Sequence, residues 1–131
     1  MAKEIKYKGK TIEELNNFNQ TDLIKLLPSR IRRSLKRGFT DQQKRFLIKL
    51  EKHKNTKTRK LLKTHCRDLA ILPSMIGQTI HVHNGKTYVP VIITIEMLGH
   101  YLGEYSLTRN KVTHSAPGIG ATKSSGALSV K

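Results

Sequence analysis

The run Thr79-Ile80-His81-Val82-His83-Asn84-Gly85-Lys86-Thr87-Tyr88-Val89-Pro90-Val91-Ile92 places Asn84-Gly85 between two β-prone segments. Asn-Gly in that setting is the strongest short-range hairpin signal, because both residues tolerate the positive φ that a tight primed turn demands. A two-residue turn predicts pairing of His83 with Lys86, Val82 with Thr87, His81 with Tyr88 and Ile80 with Val89. Side chains alternate between the faces of a strand. Ile80, Val82, Val89 and Val91 therefore share a face suited to a core, while His81, His83, Lys86 and Tyr88 share a polar, basic face carrying an aromatic ring. Pro90 has no N–H to donate, which suits an edge position or the end of pairing.

Helical signals flank this hairpin, so the expected class is α+β, a small sheet packed by short helices. Downstream, Thr94 is placed to cap a helix over Ile95 to Tyr101, with Ile95, Leu98 and Leu102 inward and Gly103 as its stop. Upstream, Leu69 to Leu72 is an apolar patch ended by Pro73. Thr40 and Gln43 have capping-box spacing and open a helix from Asp41 to about His53. Its buried stripe is Phe46, Leu47 and Leu50, with Lys44, Lys49 and Lys52 facing out. Ile31 and Leu35 stand four apart and share one face of a short basic helix that Gly38 ends. Thr21 can cap a helix from Asp22 to Leu27, which Pro28 stops. Thr11 and Glu14 form a further capping box, followed by a turn carrying Ile12 and Leu15. Residues 54–68 alternate Lys, Arg and Thr with few apolar groups and read as an extended or irregular basic arm. The chain thus divides into a basic helical extension and arm (1–68), an α+β core (69–108) and a flexible basic tail (109–131). The tail is rich in Gly, Ser, Ala and Thr, carries no acid and cannot fold alone, so ordering on a partner is expected.

Charge gives the first functional reading. Fifteen of the 25 Lys and Arg residues fall between Arg30 and Arg67, a stretch with two acids, Asp41 and Glu51. It carries +13 of the chain's formal +16. Like charges this dense repel one another and hold a compact shape most readily beside a polyanion. Nucleic-acid phosphate is the commonest such partner, since each neutralised phosphate releases condensed counterions.

Other chemistries find little support. Cys66 is the single cysteine, so no intramolecular disulfide and no cysteine-based zinc site can form. No apolar run is long enough to span a bilayer, and the basic stretch lacks the long amphipathic face with Trp or Phe anchors that interfacial helices show. Nothing marks His65 and Cys66 as a nucleophile pair, and the scattered acids show no two-metal cluster. Gly118-Ile119-Gly120 lacks the context of a phosphate loop. No cofactor is expected. Two alternatives stay open: His81 and His83 as ligands of a metal-dependent nuclease, and the 41–53 helix as a sequence-specific DNA reader with Gln42 and Gln43 at its start. Charge spread over helix, arm and sheet face suits RNA recognition by shape and phosphate better than reading of a DNA groove.

A resemblance joins these readings. Asn84-Gly85-Lys86, Ile93 and Leu98-Gly99-His100-Tyr101-Leu102-Gly103-Glu104-Tyr105-Ser106-Leu107-Thr108 are similar to the signature of the ribosomal protein family numbered nineteen in the bacterial small subunit and fifteen in eukaryotes. Ile71-Leu72-Pro73-Ser74-Met75-Ile76-Gly77 fits the same family. Leu26-Leu27-Pro28-Ser29-Arg30-Ile31-Arg32-Arg33-Ser34-Leu35-Lys36-Arg37-Gly38 resembles the extension of its archaeal and eukaryotic branch. Ala116-Pro117-Gly118-Ile119-Gly120-Ala121-Thr122-Lys123-Ser124-Ser125 resembles that branch's tail, and the likeness covers about residues 7–126.

The resemblance implies a non-enzymatic constituent of the small-subunit head, in the cytoplasm, bound to small-subunit rRNA. Its implied neighbours are the head protein numbered thirteen, the large subunit across the intersubunit face, and tRNA near the tail and decoding region. On this reading the extension would meet RNA through Arg30, Arg32, Arg33, Lys36 and Arg37, and the arm through Lys57, Arg59, Lys60, Lys63 and Arg67. The sheet face would contribute His81, His83 and Lys86 beside Tyr88, and the tail Arg109, Lys111, His114 and Lys123. Gly99 and Gly103 would permit close backbone approach or stop a helix, and Glu104 reads as structural.

Overall fold

The structure, a computed structural model, describes residues 5–56 and 60–113. Four α-helices come first: α1 (Ile12–Asn17), α2 (Gln20–Leu26), α3 (Ser29–Arg37) and α4 (Asp41–Thr56). Three strands follow, β1 (Leu62–Thr64), β2 (Thr79–His83) and β3 (Tyr88–Ile92), with 3-10 turns at Pro73–Met75, Ile95–Met97 and Leu102–Tyr105. The fold is α+β, as expected.

Local chemistry sets most of the helix ends. The Thr11 side chain accepts from the Glu14 N–H at 3.4 Å and opens α1. Thr40 and Gln43 make the reciprocal box at α4: the Gln43 N–H donates to Thr40 Oγ1 at 3.4 Å, and the Thr40 N–H donates to Gln43 Oε1 at 3.1 Å. α3 ends at Gly38 as expected. The second helix differs from expectation: it begins at Gln20 behind Asn19, and Thr21 lies inside it rather than capping it.

The sheet has the order β1-β2-β3, parallel between β1 and β2 and antiparallel between β2 and β3. The arm expectation for 54–68 is corrected at two places: α4 continues to Thr56, and Leu62–Thr64 pairs with Ile80–Val82. Leu62 and Thr64 point into the protein, so this short strand is held by burial despite its charged surroundings. The hairpin exists, but its register is shifted by two residues from the tight-turn pairing: His83 faces Tyr88, Val82 faces Val89, His81 faces Pro90 and Ile80 faces Val91. Asn84 explains the shift. Its N–H donates to the Thr87 carbonyl at 3.0 Å, and its Oδ1 accepts from the N–H groups of Lys86 (3.0 Å) and Thr87 (2.8 Å), closing a wider loop. Gly85 takes φ +101 in that loop. A shift of two leaves the faces unchanged. Ile80, Val82 and Val91 are buried as expected, and Lys86 moves from the paired face into the loop.

The helix expected over 95–101 shrinks to a single 3-10 turn, Ile95–Met97, with a second turn following at Leu102–Tyr105, and Thr94 makes no side-chain cap. Between them Gly99 turns the chain at φ +86, with Pro28 Cδ and the Tyr7 hydroxyl so close that a Cβ would meet each at 2.9 Å. Ile95, Leu98 and Leu102 are nonetheless buried. Gly103 does not stop a helix. It lies within the second turn, where a Cβ would meet the Arg67 carbonyl oxygen at 2.9 Å.

The main apolar cluster joins Leu15, Phe46 and Leu50 from the helices to Leu62, Ile71, Ile80, Val82, Ile93 and Leu102. A second cluster packs Leu27, Ile31 and Leu35 around Ala70. The expected stripe of α4 holds at Phe46 and Leu50, with Leu47 half-buried. Burial of these aliphatic groups supplies the main folding drive, at ~25 cal/mol per Å² of apolar surface removed from water.

Candidate nucleic-acid interface

One face of the sheet is core, and the other forms three rows. Residues at odd positions of β1 and β2 lie on this outer face, opposite Tyr88, Pro90 and Ile92 of β3. One row carries Lys63, His81 and Pro90. The next gathers three rings. His65 and His83 stand 4.3 Å apart between centroids, and Tyr88 meets them edge-on at 5.4 Å and 4.9 Å. The Tyr88 hydroxyl is 2.7 Å from His65 Nε2, and the Gly85 N–H donates to His83 Nδ1 at 3.1 Å. Lys63 Nζ lies 5.1 Å over the Tyr88 ring. The remaining row is apolar at its ends, with Leu61 and Ile92 exposed on either side of Thr79.

His65 was absent from the residues singled out by sequence. Its place depends on the parallel pairing of β1 with β2, which no local pattern announces. His81, expected beside His83, is half-buried, and its Nδ1 has no hydrogen-bond partner among the described residues.

Beside this face, Gln42, Arg45, Phe46 and Lys49 of α4 and Lys63, Thr64, His65 and Cys66 of the sheet edge enclose a groove of about 500 Å³. A second groove, of about 710 Å³, runs between α3 and the 101–104 segment. It carries Arg30, Arg37 and Arg67 but also Asp68 and Glu104. There Arg30 stacks on Tyr101 at 5.0 Å, and the Tyr101 hydroxyl bonds Ser34 Oγ at 2.7 Å. Glu104 accepts from the Tyr101 N–H at 3.4 Å and pairs with His100 at 2.6 Å, a structural use.

The cations divide into two kinds. Arg67 is turned inward: its guanidinium donates to the carbonyls of His83 (2.7 Å), Gly103 (2.8 Å) and Ser106 (2.5 Å). Arg32 donates to the carbonyls of Lys25 and Leu27 at 3.3 and 3.2 Å, binding α3 to α2. Arg30, Arg33, Lys36 and Arg37 of α3 are exposed, and none is ion-paired among the described residues. The same is true of Arg45, Lys49, Lys60, Lys63 and Lys86, and of Arg109 and Lys111 beyond the last turn. Lys57, Arg59, His114 and Lys123 lie outside the described residues.

The DNA-reading arrangement of α4 is corrected here. Gln43 is buried and committed to the capping box, so it cannot meet a base edge; Gln42 alone is exposed. Among the described residues, no group of three or more His, Cys, Asp or Glu side chains could hold a metal ion, and no helix is long and apolar enough to cross a membrane.

A small α+β body carries exposed cations, without an ion-pair partner among the described residues, on α3, on α4 and along the sheet edge, the surface of a nucleic-acid-binding class of protein rather than of an enzyme pocket. The comparisons agree with that class. The family model described as Ribosomal protein S19 matches residues 33–114. The small ribosomal subunit protein uS19 of Saccharolobus solfataricus is 54% identical over 130 residues, covering 98% of this chain and 93% of the relative. The chain belongs to the ribosomal protein S19 family, whose members are structural proteins of the ribosome rather than enzymes. The archaeal relative also aligns with the N-terminal residues that precede the span matched by the family model.

Proposed function

We propose that this protein is an rRNA-binding constituent of the head of the small ribosomal subunit, working in the cytoplasm in translation. The observation that carries the reading is the set of exposed cations on α3 and along the α4–β1 edge that have no carboxylate partner among the described residues. Held on short rigid elements, they offer fixed positive charge to a phosphate backbone of matching shape. α3 would use Arg30, Arg33, Lys36 and Arg37, and the sheet edge Lys60, Lys63 and Lys86. Residues from Arg109 onward would run as a basic tail toward the decoding region and tRNA. The head protein numbered thirteen and the large subunit are the protein neighbours in this reading.

The test is sedimentation of the tagged protein from its source cells through sucrose gradients at moderate and high salt. Co-migration with small subunits that survives high salt is the expected result. Association lost at modest salt would overturn the reading and leave only loose polyanion binding. With purified small-subunit rRNA, contact with about eight phosphates gives a slope of roughly −6 to −7 in log affinity against log salt.

A further inference from the structure

The larger groove mixes three arginines with two carboxylates, whereas the smaller one has a single sign of charge. Arg45, Lys49 and Lys63 line it, and among the described residues no acid does. His65 lines it too, and that ring is held by stacking near His83 and by the Tyr88 hydroxyl. An aromatic ring fixed beside cations lining the same groove matches the two halves of an unpaired nucleotide, base and phosphate. We propose that this groove is a single-stranded RNA site, in which one base stacks on His65 while Arg45, Lys49 and Lys63 take the flanking phosphates.

The inference rests on the rRNA reading above and narrows it to a place and a mode. Nucleobases stack on rings with little regard to sequence, so the site would grip a splayed loop or bulge rather than read it. Its second support is preorganisation. His65 Nε2 is already engaged by Tyr88, and His83 Nδ1 by the Gly85 N–H, so the rings need little ordering when a base arrives. A protein partner with an acidic segment would be drawn by the same charge, but it would leave the π-face of His65 without a matching plane.

The experiment uses the full chain with an oligouridylate about ten nucleotides long and with a ribose-phosphate oligomer of the same length and charge lacking bases. The base-bearing oligomer is expected to bind on the order of fivefold or more tightly, and to move the His65 ring protons upfield. His65→Ala should abolish the preference and His65→Phe should keep it, while Lys63→Ala weakens both oligomers alike. Equal affinities, no binding of either oligomer, or a preference unchanged in His65→Ala, by a chain that still binds small-subunit rRNA, would overturn this inference alone. Failure to bind rRNA as well would overturn the parent reading with it.

Discussion

Replacing Arg67 by Ala separates a role inside the fold from a role on RNA. The guanidinium ties three segments together: the end of β2 through His83, and the last 3-10 turn and its exit through Gly103 and Ser106. Ser106 is itself buried and donates from Oγ to the Val82 carbonyl at 3.3 Å. A hydrogen bond from a charged donor contributes about 1.5–3 kcal/mol. The three share one half-buried group, so they are not additive, and water can reach part of what they leave. A loss of about 3 kcal/mol is therefore expected, out of a total stability of about 5–15 kcal/mol. At about 4 °C per kcal/mol for a domain of this size, Tm falls by ~12 °C. Arg33, exposed on α3, is the control. Arg33→Ala should change stability by less than about 0.5 kcal/mol, but lower the magnitude of the rRNA salt slope by about 0.7–0.9. Thermal and urea unfolding followed by circular dichroism, with rRNA titrations over a salt series, measure both quantities. An Arg67→Ala protein as stable as the parent, with the salt slope reduced by one phosphate, would refute the clamp.

Three further outcomes are expected. Gly99→Ala combines positive-φ strain with contacts at 2.9 Å to Pro28 and Tyr7 and should cost on the order of 2–3 kcal/mol, read from the urea midpoint. Gln43→Ala removes one half of the α4 capping box and orphans the Thr40 N–H, costing about 1 kcal/mol in the same assay, while exposed Gln42→Ala is near neutral. Burial raises the Tyr7 hydroxyl above its usual pKa of 10.0, so the unfolded chain loses this proton first as pH rises. That contribution is whole below pH 10.0 and is lost as pH climbs through the raised folded value, so Tyr7→Phe should flatten the alkaline fall in stability. An alkaline limb identical in both proteins would count against it.

The sequence reveals those elements whose causes are local. The Thr40–Gln43 box, the Ile31–Leu35 face and the alternation of Ile80 and Val82 each follow from spacings within a few residues, and each is present. What stayed hidden depends on distant partners. β1 has a single aliphatic residue, Leu62, amid charge, and becomes a strand only because Ile80 and Val82 lie beside it. The hairpin's faces were legible, but its register was not, because the Asn84 side chain competes with the backbone for the turn's N–H groups. The helix expected at 95–101 fails at Gly99, whose positive φ answers to Pro28 and Tyr7 far up the chain. The charge map was readable as a total. Which cations face outward was not, since Arg32 and Arg67 look like their neighbours until the carbonyls that take them are located.

The close seat of Gly99 against Pro28 and Tyr7 also sets an order of events during synthesis. The N-terminal helices leave the ribosome first, yet the corner that packs on them is made roughly seventy residues later. At ~5–20 residues per second that is a wait of roughly 4–14 s, far longer than a short helix needs to form. Throughout that interval Leu27, Ile31 and the basic face of α3 are present without Tyr101 to close over them, and for more than half of it without Ala70. A newly made chain is therefore at its stickiest, toward apolar surfaces and stray RNA alike, just before its last turn arrives.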